Sequence, residues 1–228
     1  MSSPYKIAAV HTLGCKVNFT ETSMIAKQFQ ENGLSLVSID NFADIYVINT
    51  CSVTENANVK CDRLVRKIKR INPDAFIVIT GCYAQLKSDE LSKNKTIDLI
   101  VGSDDKLRIP EIINNTINSP VITSKIGSVG TFNLSYSTGD RVRSFVKVQD
   151  GCDYSCTFCT IPLARGKSRS SSISEVVDLV NSLEGRGYKE IVLSGINLGD
   201  FGSGTDQNCY KLLKELENST SIPRIRIS

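Results

Sequence analysis

The chain has 228 residues, 40% of them apolar and 22% charged, with a formal net charge of +3. Its mean hydropathy of −0.09 suits one or two globular domains with a buried core and argues against disorder. A single His excludes a zinc hydrolase built on three His ligands, and a Ser-His-Asp triad would have to use His11.

No apolar run approaches the roughly 20 residues of a membrane span. The chain does not open on a basic segment followed by a long apolar one, so no membrane partner and a cytoplasmic location are expected. The mild positive charge permits nucleic-acid binding without demanding it. Eight Cys in such a chain point to metal or redox chemistry rather than disulfides.

In chain order, residues 6–10 are a short apolar run leading to His11, Thr12, Leu13, Gly14 and Cys15. Helical spacing covers 21–30 and stops at Gly33. A short strand is predicted at 36–39 and a clearer one at 45–48, running into Asn49, Thr50 and Cys51. A helix over 56–71 closes at Asn72 and Pro73. A β-branched strand at 76–79 leads into Thr80, Gly81 and Cys82, and a helix is predicted over 84–91. A strand at 98–101 and a helix at 107–117 complete a first domain over 1–118. Apolar strands alternating with helices predict a parallel α/β sheet.

Residues 119–140 are rich in Ser, Thr and Gly and read as a linker with some extended structure. A second domain is predicted over 141–228. It comprises a strand at 144–148, a helix at 174–184, a strand at 190–193, a helix at 208–218 and a strand from 223. Ser172 and Ser174 are both N-cap candidates for the first of these helices. Repeated βα units suggest a barrel, which needs on the order of 200 residues to close. About 88 residues follow the linker, so the chain is expected to be a fragment that stops mid-barrel.

The cysteines sort into three groups. Cys152, Cys156 and Cys159 form a tight C-x3-C-x2-C set directly after a predicted strand. Three thiols with no fourth Cys or His nearby suit an iron–sulfur cubane with one open iron, with zinc as the alternative. Cys15, Cys51 and Cys82 are widely spaced, yet each lies shortly past the end of a predicted apolar strand. A parallel sheet returns such positions to one edge, where ligands bind, so a second metal or cluster site competes with a reading of three unrelated cysteines. Cys61 recurs with Leu64, Val65 and Ile68, and Cys209 with Leu212, Leu213 and Leu216, at helical core spacing. Both are expected to pack as small apolar residues.

The segment DGCDYSCTFCTIP resembles the radical S-adenosylmethionine (SAM) signature, including Phe158 before the last Cys. HTLGCKVNFTET, VINTCSVTENA and VITGCYAQ resemble the amino-terminal domain of the methylthiotransferases, and IPLARGKSRS and IVLSGINLGDFG are also similar to that family. Among its branches, the segments around Cys15 and Cys82 most resemble the tRNA N6-threonylcarbamoyladenosine enzymes. The isopentenyladenosine and ribosomal-protein branches are the alternatives, and a non-catalytic iron–sulfur module is the alternative of another class.

The resemblance implies a Rossmann- or flavodoxin-like first domain followed by the opening βα units of a radical SAM partial TIM barrel. It implies two [4Fe–4S] clusters. Cys152, Cys156 and Cys159 would hold the one that binds SAM, whose cleavage yields a radical that abstracts hydrogen from C2 of adenine. Cys15, Cys51 and Cys82 would hold the one that presents the sulfur. Phe158, Ser194, Gly195 and Asn197 would contact SAM, although the chain reads Ser-Gly-Ile-Asn where the superfamily has Gly-Gly-Glu. No catalytic residue is assigned beyond the cluster ligands. The partners implied are the tRNA anticodon loop, at position 37, and an electron donor such as flavodoxin or ferredoxin. Lys60, Arg63, Lys67 and Arg70 share one helix stripe, and Arg165, Lys167 and Arg169 follow the tight motif. Both sets are candidate RNA contacts, against the alternative of solvated charge. The fragment alone is expected to be inactive.

Overall fold

The unbroken apolar runs of the first half become strands of one parallel sheet. The structure is a computed structural model that describes residues 5–51, 55–114, 120–123, 132–139 and 142–228. It divides into two units, Met1–Ile126 and Gly127–Ser228. In the first, the order is β1 (Ile7–Leu13), α1 (Lys16–Glu31), β2 (Ser35–Val37), β3 (Ile45–Thr50), α2 (Glu55–Ile71) and β4 (Phe76–Gly81). Then come α3 (Cys82–Leu86), α4 (Ser88–Leu91), β5 (Leu99–Val101), α5 (Ile109–Asn114) and β6 (Val121–Ile122). The strands lie in the order β2-β1-β3-β4-β5-β6, and every pairing is parallel.

Alternation along the strands feeds two cores, one on each face of the sheet. Tyr46, Ile48, Ile77 and Ile79 pack with Cys61, Val65 and Ile68 of α2. Ile45, Val47 and Val78 pack with Ile25 and Phe29 of α1 and with Ile109 and Ile112 of α5. Because β2 and β3 flank β1 on opposite sides, the chain reverses direction across the sheet there. In parallel sheets such a reversal, here at the carboxyl ends of β1 and β3, is where ligands bind.

In the second unit, β7 (Ser135–Tyr136), β8 (Arg143–Lys147), β9 (Gln149–Asp150), α6 (Ile161–Arg165) and β10 (Arg169–Ser170) precede α7 (Ile173–Gly185). β11 (Glu190–Ser194), α8 (Cys209–Ser219) and β12 (Arg224–Ile227) follow. β8, β11 and β12 run parallel, β7 runs antiparallel to β8, and β9 pairs antiparallel with β10. The expected βα units are present. Ser172 is the N-cap of α7, in a capping box with Glu175.

The structure differs from the sequence reading in three places. Helix α1 starts at Lys16 rather than near residue 21, because Asn18, Thr20, Glu21, Thr22 and Ser23 are polar yet buried. The helix predicted over 84–91 is two short ones, broken where Lys87 leaves helical geometry at φ −130°. The stretch read as linker contributes a strand to each unit, β6 pairing with β5 and β7 with β8. The end of the helix predicted over 107–117 lies outside the described residues, which pause after 114.

Glu21 explains part of the buried polarity of α1. Its Oε2 lies 2.7 Å from Lys106 Nζ, with side-chain exposures of 1% and 4%. Removing one partner of a buried pair strands the other charge. Glu21→Gln is therefore expected to lower the unfolding free energy by about 3–5 kcal/mol, measured by urea denaturation. Joint replacement by apolar residues of similar volume should recover most of that loss.

Candidate iron–sulfur sites

The first trio follows from strand register. Leu13 pairs with Thr50, and Thr50 with Gly81, so β1, β3 and β4 end level with one another. Cys15 follows β1 by two residues, Cys51 follows β3 by one, and Cys82 opens α3 directly after β4. Two glycines let these ends close up. A Cβ at Gly14 would lie 3.1 Å from Cys51 Cβ and 2.7 Å from Asn18 Nδ2. One at Gly81, where φ is +94°, would lie 2.3 Å from the Thr50 carbonyl oxygen. Cys15 is exposed, Cys51 half-buried and Cys82 buried.

Asn18, fully buried, organises this edge. Its Nδ2 donates to Thr50 O at 2.9 Å, one residue before Cys51, and its Oδ1 lies 3.7 Å from Cys15 Sγ. Asn49 Nδ2 in turn donates to Asn18 O at 3.0 Å and to Thr22 Oγ1 at 3.1 Å. In the sequence Asn18 stands inside the HTLGCKVNFTET motif. The signal was a polar residue three positions past Cys15, on the buried side of a helix.

The second trio occupies the loop between β9 and α6. Cys152 N–H donates to Gly166 O at 3.1 Å, and Cys159 N–H to Cys156 O at 3.1 Å. Asp153 Oδ1 accepts Ser168 N–H at 3.0 Å. Gly151 has φ +70°, and a Cβ there would lie 2.0 Å from Lys167 O, so only glycine lets the loop pass that carbonyl. Cys156 is exposed, and Cys152 and Cys159 are half-buried.

Beneath this loop Asp150 gathers three cations. Its carboxylate lies 2.9 Å from Arg165 Nη1, 3.3 Å from Lys147 Nζ and 3.4 Å from Arg169 Nη2. It also accepts Gly151 N–H at 2.8 Å.

None of the six sulfurs of the two trios is in a disulfide. Among the described residues, no three His, Cys, Asp or Glu side chains converge on one ion. Ligands of a cubane each hold a different iron and stand apart by the width of the cluster. The fit therefore rests on donor type, since three cysteine sulfurs at each site suit iron–sulfur chemistry, and on placement at strand and loop ends.

Ser194 is buried at the end of β11, with its Oγ 3.3 Å from Val192 O. The expected SAM contacts continue through Gly195 to Asn197, whose Nδ2 donates to Asp200 Oδ2 at 2.9 Å. Tyr154, inside the cysteine loop, donates to the other Asp200 oxygen at 3.4 Å. Phe158 is 89% exposed. Asp200, Tyr154 and Gln149 were not singled out from sequence. Gln149 was detectable as a polar side chain continuing an apolar strand three residues before Cys152.

The RNA candidates divide. Lys60, Arg63, Lys67 and Arg70 are exposed along α2, opposite its buried stripe. Lys67 is paired with Asp40 at 2.5 Å. Lys60, Arg63, Lys67, Leu64, His11 and Leu13 line a cavity of about 230 Å³. Burial lowers the His11 pKa, against a smaller opposing effect of Asp40. Lys167 is exposed. Arg165 corrects the sequence reading: its guanidinium is 1% exposed and held by Asp150, so it is closed to an RNA phosphate. Arg169 is 15% exposed in its side chain and donates to the carbonyls of Arg165 and Lys167.

Cys61 lies wholly in the α2 core, and burial pushes its thiol up to about 12. At pH 8 roughly one molecule in 10⁴ would carry that thiolate. In the folded chain Cys61 is expected to resist iodoacetamide while the exposed Cys15 and Cys156 are labelled first, as read by peptide mass spectrometry. Labelling of Cys61 at their rate would contradict its core role. Cys209 is half-buried, and its thiol is likewise raised by burial.

Residues 7–102, which include Cys15, Cys51 and Cys82, match the family described as uncharacterized protein family UPF0004. Over 96% of its length the chain is 40% identical to the threonylcarbamoyladenosine tRNA methylthiotransferase MtaB of Aquifex aeolicus, covering 55% of that protein. The chain is thus similar in sequence to tRNA methylthiotransferases. The MtaB of Bacillus subtilis is 40% identical over 96% of the chain, which covers 50% of it. The tRNA-2-methylthio-N(6)-dimethylallyladenosine synthase of Christiangramia forsetii is 33% identical over 94% of the chain, which covers 46% of it. The chain thus spans about half the length of the curated relatives it matches. Among solved structures, it is similar to the radical S-adenosylmethionine methyltransferase TsrM of Kitasatospora setae, with a TM-score of 0.64. That likeness covers 96% of this chain and 53% of TsrM at 13% identity, and is one of fold. No helix among the described residues is long and apolar enough to cross a membrane.

Proposed function

We propose that the chain carries the two cluster-binding sites of a cytoplasmic tRNA methylthiotransferase that acts on N6-threonylcarbamoyladenosine in the anticodon loop, at position 37. The reading is carried by the placement of the first cysteine trio at level ends of three neighbouring strands, inside a segment that matches UPF0004. The 40% identity to MtaB proteins, against 33% to the dimethylallyladenosine synthase, favours the threonylcarbamoyl branch.

Cys15, Cys51 and Cys82 would hold one [4Fe–4S] cluster, and Cys152, Cys156 and Cys159 the other. Bound there with SAM, and reduced by a donor such as flavodoxin or ferredoxin, these groups supply radical formation and sulfur insertion. The protein's own contribution is positional. Gly14 and Gly81 bring the strand ends together, and Asn18 fixes Cys15 against the residue that precedes Cys51. The Asp150 network holds the base of the second loop. The Ser194, Gly195 and Asn197 segment would face SAM, with Phe158 beside it. Lys60, Arg63, Lys67 and Arg70 offer a basic stripe to RNA phosphates, extended by Lys167.

The test is mass spectrometry of tRNA nucleosides from cells lacking the gene. The methylthio derivative of N6-threonylcarbamoyladenosine should disappear while that of isopentenyladenosine persists. Loss of only the latter would move the chain to the other branch, and no change in either would remove the proposal.

A further inference from the structure

The β8–β11 ladder ends where Lys147 pairs with Ser194 and Val148 N–H donates to Ser194 O at 2.9 Å. Past that point a side chain replaces main-chain pairing. Gln149 is fully buried, and its Oε1 accepts Ile196 N–H at 2.9 Å and Asn197 N–H at 2.8 Å. Its Nε2 donates to Asp150 O at 3.0 Å, Gly151 O at 2.9 Å and Ser168 Oγ at 3.0 Å. The oxygen faces donors and the nitrogen faces acceptors, so one orientation of the carboxamide fits these partners, with its two N–H groups shared among three acceptors. Gly195 permits this approach, because a Cβ there would lie 2.9 Å from Gln149 Oε1 and 3.1 Å from Gln149 Cβ.

We propose that Gln149 is a positioning residue that locks the backbone entering the Cys152 loop to the backbone of Ile196 and Asn197. The inference rests on the reading above, in which the first element holds a cluster and the second faces SAM. SAM must then meet both elements at one fixed spacing, and Gln149 is the side chain bonded to both. Its hydrogen bonds involve none of the three thiols, so the cluster should still assemble without it. Residues of this outer kind change affinity about 10–100-fold when replaced.

The experiment compares the parent chain with Gln149→Met and Gln149→Glu, all reconstituted anaerobically. Gln149→Met removes all five contacts. Gln149→Glu keeps both acceptances and turns the donations to Asp150 O and Gly151 O into repulsions, so it unlinks the loop side alone and serves if the Met variant does not fold. Expected are unchanged iron content, SAM binding about 10–100-fold weaker, and a smaller change in the electron paramagnetic resonance spectrum of the reduced cluster on adding SAM. Amide exchange of Ile196 and Asn197, read by NMR without iron, should speed up in Gln149→Met and stay slow in Gln149→Glu. Parental SAM affinity and an unaltered spectral change in either folded variant would overturn the inference. Slow exchange at both amides in Gln149→Met would overturn it as well. A parent that takes up iron but is indifferent to SAM, or takes up none, overturns the radical SAM reading instead, and the exchange rates still judge the lock.

Discussion

Asp150→Asn is expected to destabilise the second unit by about 3–5 kcal/mol, the cost of removing one partner from a buried ionic group. Asp150 is 3% exposed and lies among Lys147, 3% exposed, Arg165, 2% exposed, and Arg169. The Asn side chain still accepts Gly151 N–H but no longer opposes the cations, which lie where water cannot solvate them. Against a domain stability of about 5–15 kcal/mol, the loss is a large fraction of the whole. Urea unfolding followed through the amides of β8 and β11 would measure it. A loss below about 1 kcal/mol would contradict the role given to Asp150. Arg165→Met added to Asp150→Asn should recover part of the loss, because it removes one of the stranded charges.

The second large effect is on composition. Replacing Cys152, Cys156 and Cys159 together by Ala should lower the iron of the reconstituted chain from about eight atoms to about four. Replacing Cys15, Cys51 and Cys82 should do the same from the other side, since the two trios lie in different units. Cys61→Ala should leave the iron unchanged because its thiol belongs to the α2 core. A fall to zero in either triple variant would show that the clusters are not independent.

Much of this arrangement was legible in the residues. Strand ends were readable because β3 and β4 are apolar at nearly every position, and the cysteines follow them directly. The adjacency of β1, β3 and β4 was not readable, since strand order depends on which faces the helices cover. Helix α1 began five residues earlier than its apolar spacing showed, because Asn18 and Glu21 are buried by partners distant in sequence, Thr50 and Lys106. For the same reason Arg165 read as a surface cation. Only the fold reveals that Asp150 stands beside it. Gln149 was visible as a polar residue ending an apolar strand, but not its partners, because its contacts are to Ile196 and Asn197, 47 and 48 residues away.

The most direct test of two cluster sites on one chain is the iron and acid-labile sulfide content of protein purified and reconstituted without oxygen. Two cubanes require about eight of each per chain. A preparation that holds one zinc and no labile sulfide would contradict the account at its base.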